Sequence, residues 1–222
     1  MFRDARLVAA KDLRLEWRSK VTLAQVAPFA LLVLILFAFA LDPDRGVLER
    51  ATPGLFWLAV VFSAVMAVQR AFALEAADGV RDALRLSALE PSGIFLGKMA
   101  AIAAVLIALE VLLLGGVALF YNTHLGGFGL LVATCVPATA GIASAGTLYG
   151  VLAAGLRMRD TLLPLLLLPV LSPVLIGATR AFEAALANNA TDGWPWIGLL
   201  SVFALVYIAA GAVTFGTLLE ES

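Results

Sequence analysis

Charge-free runs dictate what this chain can become. Six stretches, Val21 to Leu41, Ala51 to Gln69, Met99 to Tyr121, Leu125 to Leu156, Thr161 to Thr179 and Gly193 to Leu219, hold no charged side chain except Glu110 in the third. A helix needs about 20 such residues to cross the hydrocarbon core of a bilayer. In lipid, a helix satisfies its backbone polar groups internally. The pattern predicts an all-α integral membrane protein, a single domain over residues 1–222, with spans at 21–41, 51–69, 99–121, about 127–156, 161–179 and 196–219. A mean hydropathy of +1.00 agrees. The net charge of −1 removes the electrostatic reason to expect nucleic-acid binding.

Ala38-Phe39-Ala40 looks like a signal-peptidase site. The apolar run before it is longer than a usual signal h-region and follows a 20-residue segment, so the first span is expected to be retained. Pro137 near the start of the fourth run predicts a kinked helix, or a broken one with an interfacial part. Lys and Arg fall twelve on one set of alternate connections and three on the other. The positive-inside rule then puts both termini and residues 70–98 in the cytoplasm. Six spans agree with that parity.

The opening MFRDARLVAAKDLRLEWRSK sets Leu7, Ala10, Leu13 and Trp17 on one stripe, with Arg3, Arg6, Lys11, Arg14 and Arg18 largely elsewhere. Residues 1–20 therefore read as a helix on the membrane surface, serving either as a basic topology anchor or as a gating elbow joined to the first span. Residues 70–98 are longer than a helix connection requires and should hold structure. Val80, Ala83, Leu84 and Ser87 follow helical spacing, with Asp78 as an N-cap and Pro91 as a stop. That amphipathic helix, exposing Arg81, Asp82 and Arg85, can dock into a groove of a soluble partner. The alternative is a charged face that merely stays in water.

Within the membrane, Glu110 falls near mid-bilayer, where an ionisable group suggests function. It can accept a proton, pair with another subunit, contact cargo, or sit protonated against a neighbouring helix. Pro164, Pro169 and Pro173 interrupt the fifth span. Gly146 and Gly150 permit close helix approach, either in a dimer seam or against another span of the same chain. His124, the only histidine, lies in a short loop. Cys135 is the only cysteine, so neither a disulfide framework nor a thiolate metal cluster forms within one chain. No metal ligands and no catalytic set are assigned.

The order of elements resembles a known family. Thr52-Pro53-Gly54 with Trp57, then Arg70, Phe72, Glu75, Asp78, Gly79 and Leu84, then Gly97-Lys98, and the proline-rich LLPLLLLPVLSPVLIGAT are similar to the haem exporter protein B family. That family is the membrane (permease) subunit of the ABC-type transporter of cytochrome c maturation. Gln69 stands where the family suggests an acidic residue, and Val80-Arg81-Asp82 replaces a small-Leu-Glu run. The resemblance implies an ABC-2-like permease fold in a bacterial inner membrane, with an N-terminal surface helix and a cytoplasmic coupling helix contacting a separate ATPase. It further implies two ATPase subunits, two copies of this chain, a haem-handling membrane protein and a periplasmic haem chaperone, with haem as cargo and His124 as a weak candidate axial ligand.

If ATP drives this chain, the nucleotide site must come from another polypeptide. A P-loop needs G-x-x-x-x-G-K-[ST] to cradle phosphate and hold magnesium. The nearest approach, GIFLGKM from Gly93 to Met99, is one residue short and ends in methionine. The chain is therefore expected to be a non-catalytic subunit that couples mechanically. Two alternatives stay open: another ABC-2-like exporter for lipid, polysaccharide or drug, and an ion-coupled secondary transporter using Glu110.

Overall fold

In the computed structural model, residues 1–19, 22–41, 45–77, 89–121, 127–154 and 159–221 are described. They form seven α-helices and no strand: α1 (Phe2–Ser19), α2 (Ala27–Leu41), α3 (Arg45–Ala77), α4 (Pro91–Phe120), α5 (Phe128–Ala154), α6 (Arg159–Leu186) and α7 (Ala190–Glu221). A π-helical turn, Thr22–Val26, leads directly into α2. Six helices are long and apolar enough to cross a membrane. Many of their large apolar side chains point outward, among them Phe29, Phe39, Val111, Leu119, Val202 and Val213. In water such a surface would drive association; around a bundle of this length it is the lipid-facing surface of an integral membrane protein.

Helix α5 occupies the middle of the bundle, packed against α3, α4, α6 and α7, while α2 lies outside α3 and α4. Small residues explain that centrality, because a side chain of one hydrogen lets a neighbouring helix approach closely. A Cβ on Gly146 would meet the Val68 side chain of α3 at 2.7 Å, and one on Gly141 would meet Phe203 of α7 at 3.0 Å. The Gly146/Gly150 pair thus belongs to internal packing against α3, and the dimer-seam alternative for this pair falls away. Pro137 lies inside a single helix, so the broken-helix alternative for this segment falls away too.

Aromatic side chains fill the thicker gaps. Phe56 stacks on Phe182 at 4.8 Å between centroids, with Trp57 edge-on to Phe56 at 5.4 Å. At the far end of α4 from α1, the Tyr121 hydroxyl donates to the Leu34 carbonyl across 2.9 Å and fixes α2 to α4. The other end is built differently. Helix α3 continues past Gln69 to Ala77, and α4 opens at Pro91 with Glu90 as its N-cap residue. Pro91 begins a helix because its missing N–H is one that a first turn leaves unpaired. At about 1.5 Å per residue, 30 residues make α4 about 45 Å long, beyond a hydrocarbon core of about 30 Å. With Glu90 and Lys98 near its start and the charge-free run beginning only at Met99, that surplus length fits an α4 whose first turns reach past the apolar slab.

Candidate functional site

The functional candidate is the place where α1 meets the ends of α3 and α4 that flank the charged segment. Helix α1 lies in a notch on α4 cut by Gly93 and Gly97. A Cβ on Gly93 would come within 2.9 Å of both the Met1 carbonyl oxygen and Asp4 Cβ. A Cβ on Gly97 would come within 2.6 Å of the Ala5 carbonyl oxygen and of Val8 Cβ. Val8 is buried in this contact. Only glycine admits the helix at this distance, so the docking is written into the two positions of α4 four residues apart.

Beyond the notch, α1 is held by charge. Lys98, one residue past Gly97, is 2% exposed. Its Nζ lies 3.7 Å from Asp12 Oδ2 on α1 and 4.7 Å from the centre of the Phe72 ring on α3. One turn further along α1, Glu16 Oε2 lies 3.7 Å from Arg70 Nε on α3. A buried ammonium needs a carboxylate or an aromatic face to offset its desolvation, and Lys98 has both. The Phe72 ring is fixed from behind by α5: a Cβ on Gly150 would meet it at 2.3 Å. One cluster thus joins α1, α3, α4 and α5.

The start of α1 is tied to the start of α4. Asp4 Oδ2 accepts the Glu90 backbone N–H at 3.3 Å, and the Met1 ammonium lies 2.6 Å from Glu90 Oε2. The hydrogen bond from the ammonium, then that from Ser92, holds the Glu90 carboxyl below its ordinary value. The hydrogen bond with Glu90 correspondingly raises the ammonium above its own. Arg70 before the charged segment and Glu90 and Lys98 after it therefore contact or approach one helix, α1, with Phe72 behind Lys98.

In the span region, Glu110 is 2% exposed and accepts a hydrogen bond from Thr139 Oγ1 of α5. That contact makes Glu110 a link between α4 and α5. Among the described residues, no group of three or more His, Cys, Asp or Glu side chains gathers in a way that could hold a metal ion.

Of the residues singled out by sequence, the structure brings Arg70 and Phe72 to the α1 cluster. Glu75 sits in the last turn of α3, its side chain outside the described residues. Asp78, Gly79, Arg81, Asp82, Leu84, Arg85 and His124 also lie outside them. Sequence reasoning passed over Asp12, Glu16 and Lys98 as a set. One signal for them existed: Lys98 falls two turns inside a helix that Pro91 opens, so its charge needed a partner.

Known proteins resemble this chain from end to end. The family described as CcmB protein matches residues 4–222. "Heme exporter protein B" of Haemophilus influenzae is 31% identical over 208 residues, covering 93% of this chain and 90% of that protein. The protein of the same name from Paracoccus denitrificans is 31% identical over 210 residues, covering 94% and 90%. That from Pseudomonas aeruginosa is 29% identical over 219 residues, covering 92% and 94%. The family match takes in the α1 cluster, the charged segment and all six apolar helices.

Proposed function

This chain belongs to the CcmB protein family, and from that membership we propose that it is the permease subunit of an ABC transporter serving haem export or haem-chaperone release in cytochrome c biogenesis. The observation that carries the reading is the chain-long match to proteins named as haem exporters. ATP hydrolysis belongs to a partner, since this chain has no G-x-x-x-x-G-K-[ST], and family membership suggests two copies of that partner. The basic end of the bundle, with α1, residues 70–98 and both termini, faces the cytoplasm of a bacterial inner membrane. Two copies of this chain, a haem-handling membrane protein and a periplasmic haem chaperone complete the assembly.

The α1 cluster suggests how the stroke travels. Closure of the ATPase pair pushes on residues 78–88, which α3 and α4 flank. Those helix ends hold α1 through Arg70–Glu16 and Lys98–Asp12. Movement of α1 reaches α2 through the π-helical turn Thr22–Val26, a wider helical form often found at functional positions. Span motion thereby follows nucleotide turnover without a covalent step in this chain. Haem, as cargo, is held mainly by the partner proteins, with His124 as the one ligand candidate here.

Substitutions in the charged segment test the coupling. Glu75→Lys and Leu84→Pro should leave insertion intact and let the ATPase run, while cytochrome c production falls. Full cytochrome c production in both variants would show that the segment does not transmit the stroke.

A further inference from the structure

The charges of α1 are sorted by face. Asp4, Asp12 and Glu16 all turn toward the bundle, where Glu90 N–H, Lys98 and Arg70 meet them. Arg3, Arg6, Arg14 and Arg18 are all exposed. Phe2, Leu7, Leu13 and Trp17 stand between them on the same outward face, with Phe2 77% and Trp17 75% exposed, so the apolar stripe and the arginines share one face and are not set apart as the sequence spacing suggested. The outward set recurs at steps of three and four residues, the spacing of one helix face. Every acid of α1 is therefore engaged, Asp12 by Lys11 at 2.9 Å as well as by Lys98, and four guanidinium groups are left outward, interleaved with large apolar side chains. Among the described residues, those four arginines make no ion pair.

We propose that this outward face binds the headgroups of anionic phospholipids. The argument is charge complementarity at a fixed depth. Helix α1 runs beside Gly93, Gly97 and Lys98 in the first turns of α4, ahead of the charge-free run that begins at Met99. At that level the apolar side chains reach the acyl boundary while the guanidinium groups meet phosphate, each able to make two parallel hydrogen bonds. The position of α1 beside the start of the charge-free run of α4 places both the cations and the Phe, Leu and Trp side chains at the level of the lipid headgroups, where one surface meets both. The inference goes beyond the transport reading, since it concerns which lipids this chain selects whether or not it carries cargo.

The test uses the full-length chain in nanodiscs of phosphatidylcholine and phosphatidylglycerol in equal parts, with retained lipids measured by native mass spectrometry. The wild type should retain phosphatidylglycerol in preference to phosphatidylcholine. The pairs Arg3→Gln with Arg6→Gln and Arg14→Gln with Arg18→Gln should each lower that preference by at least about five-fold, the effect of about one basic residue at an anionic surface. Arg-to-Lys versions of the same pairs should keep most of it, and Arg50→Gln with Arg180→Gln should leave it unchanged. Each pair removes only two charges, so orientation and folding are retained. Equal lipid preference in wild type and both Gln pairs would overturn the proposal. Loss of a co-purifying protein with unchanged lipid preference would also overturn it, in favour of a protein interface.

Discussion

Replacing Gly97 by alanine adds one methyl group where α1 has no room for it. The new Cβ would stand 2.6 Å from the Ala5 carbonyl oxygen and from Val8 Cβ. Ordinary contact begins at 3.4 Å, so α1 has to lift by about 0.8 Å. The first obstacle is backbone, which cannot swing aside as a long side chain would. Overpacking of this kind costs about 1–3 kcal/mol, which lowers the ratio of docked to undocked α1 by roughly 5- to 150-fold. Spin labels on cysteines placed at Ala10 and Ala100, both exposed, in a Cys135→Ser background, read that ratio by pulsed electron resonance. The variant should show a second, longer distance and impaired cytochrome c maturation. Gly115→Ala on the same helix, whose Cβ meets nothing within 4 Å, should behave as wild type. Identical distance distributions for Gly97→Ala and Gly115→Ala would refute the claim that the notch holds α1.

Charge exchange probes the next contact: Asp12→Lys and Lys98→Asp should each impair maturation, and the double exchange should restore part of it. A double-mutant cycle on detergent stability should return an interaction of about 0.5–3 kcal/mol, and additive effects would argue against the pair. Glu110→Gln should keep the contact with Thr139 and near-normal stability and maturation. Glu110→Leu should cost about 0.6–1.7 kcal/mol in thermal unfolding, the scale of an interhelical hydrogen bond in a membrane; inactive but stable Glu110→Gln would point to a proton-carrying role instead. The tie between Glu90 and the Met1 ammonium should hold α1 in a pH window. Glu90, with a lowered folded value, stabilises above its ordinary 4.5 and loses this as pH falls through the lowered value. The ammonium, with a raised value, stabilises below its ordinary 8.0 and loses this as pH rises through the raised one. The spin-label distance should therefore broaden on both sides of that window, and Glu90→Gln should abolish the acid limb.

The spans were legible because lipid imposes one rule on every residue inside it: an uncharged helix long enough to cross. The ends of the helices were less so. Charge marks where the bilayer stops, not where a helix stops, and Arg70 and Glu75 are good helix formers that carry α3 on to Ala77. Pro91 was readable as a stop for what precedes it, but the same fixed backbone angle makes it a start for α4. Small-residue spacing at Gly146 and Gly150 announced close packing without naming a partner; Val68 and Phe72 of α3 supply it. The α1 cluster is harder still to read. Asp12 and Lys98 are 86 positions apart in sequence, and only docking at Gly93 and Gly97 brings them together.

Purification of the tagged full-length chain from its membrane in mild detergent, with mass spectrometry of its partners and an absorption scan, tests the central claim. The account predicts an ATPase subunit together with cytochrome c maturation proteins and a haem Soret band. An ATPase with neither maturation proteins nor haem would contradict the haem assignment and favour another ABC-2-like exporter. Recovery of the intact chain with no ATPase would contradict the coupling account altogether.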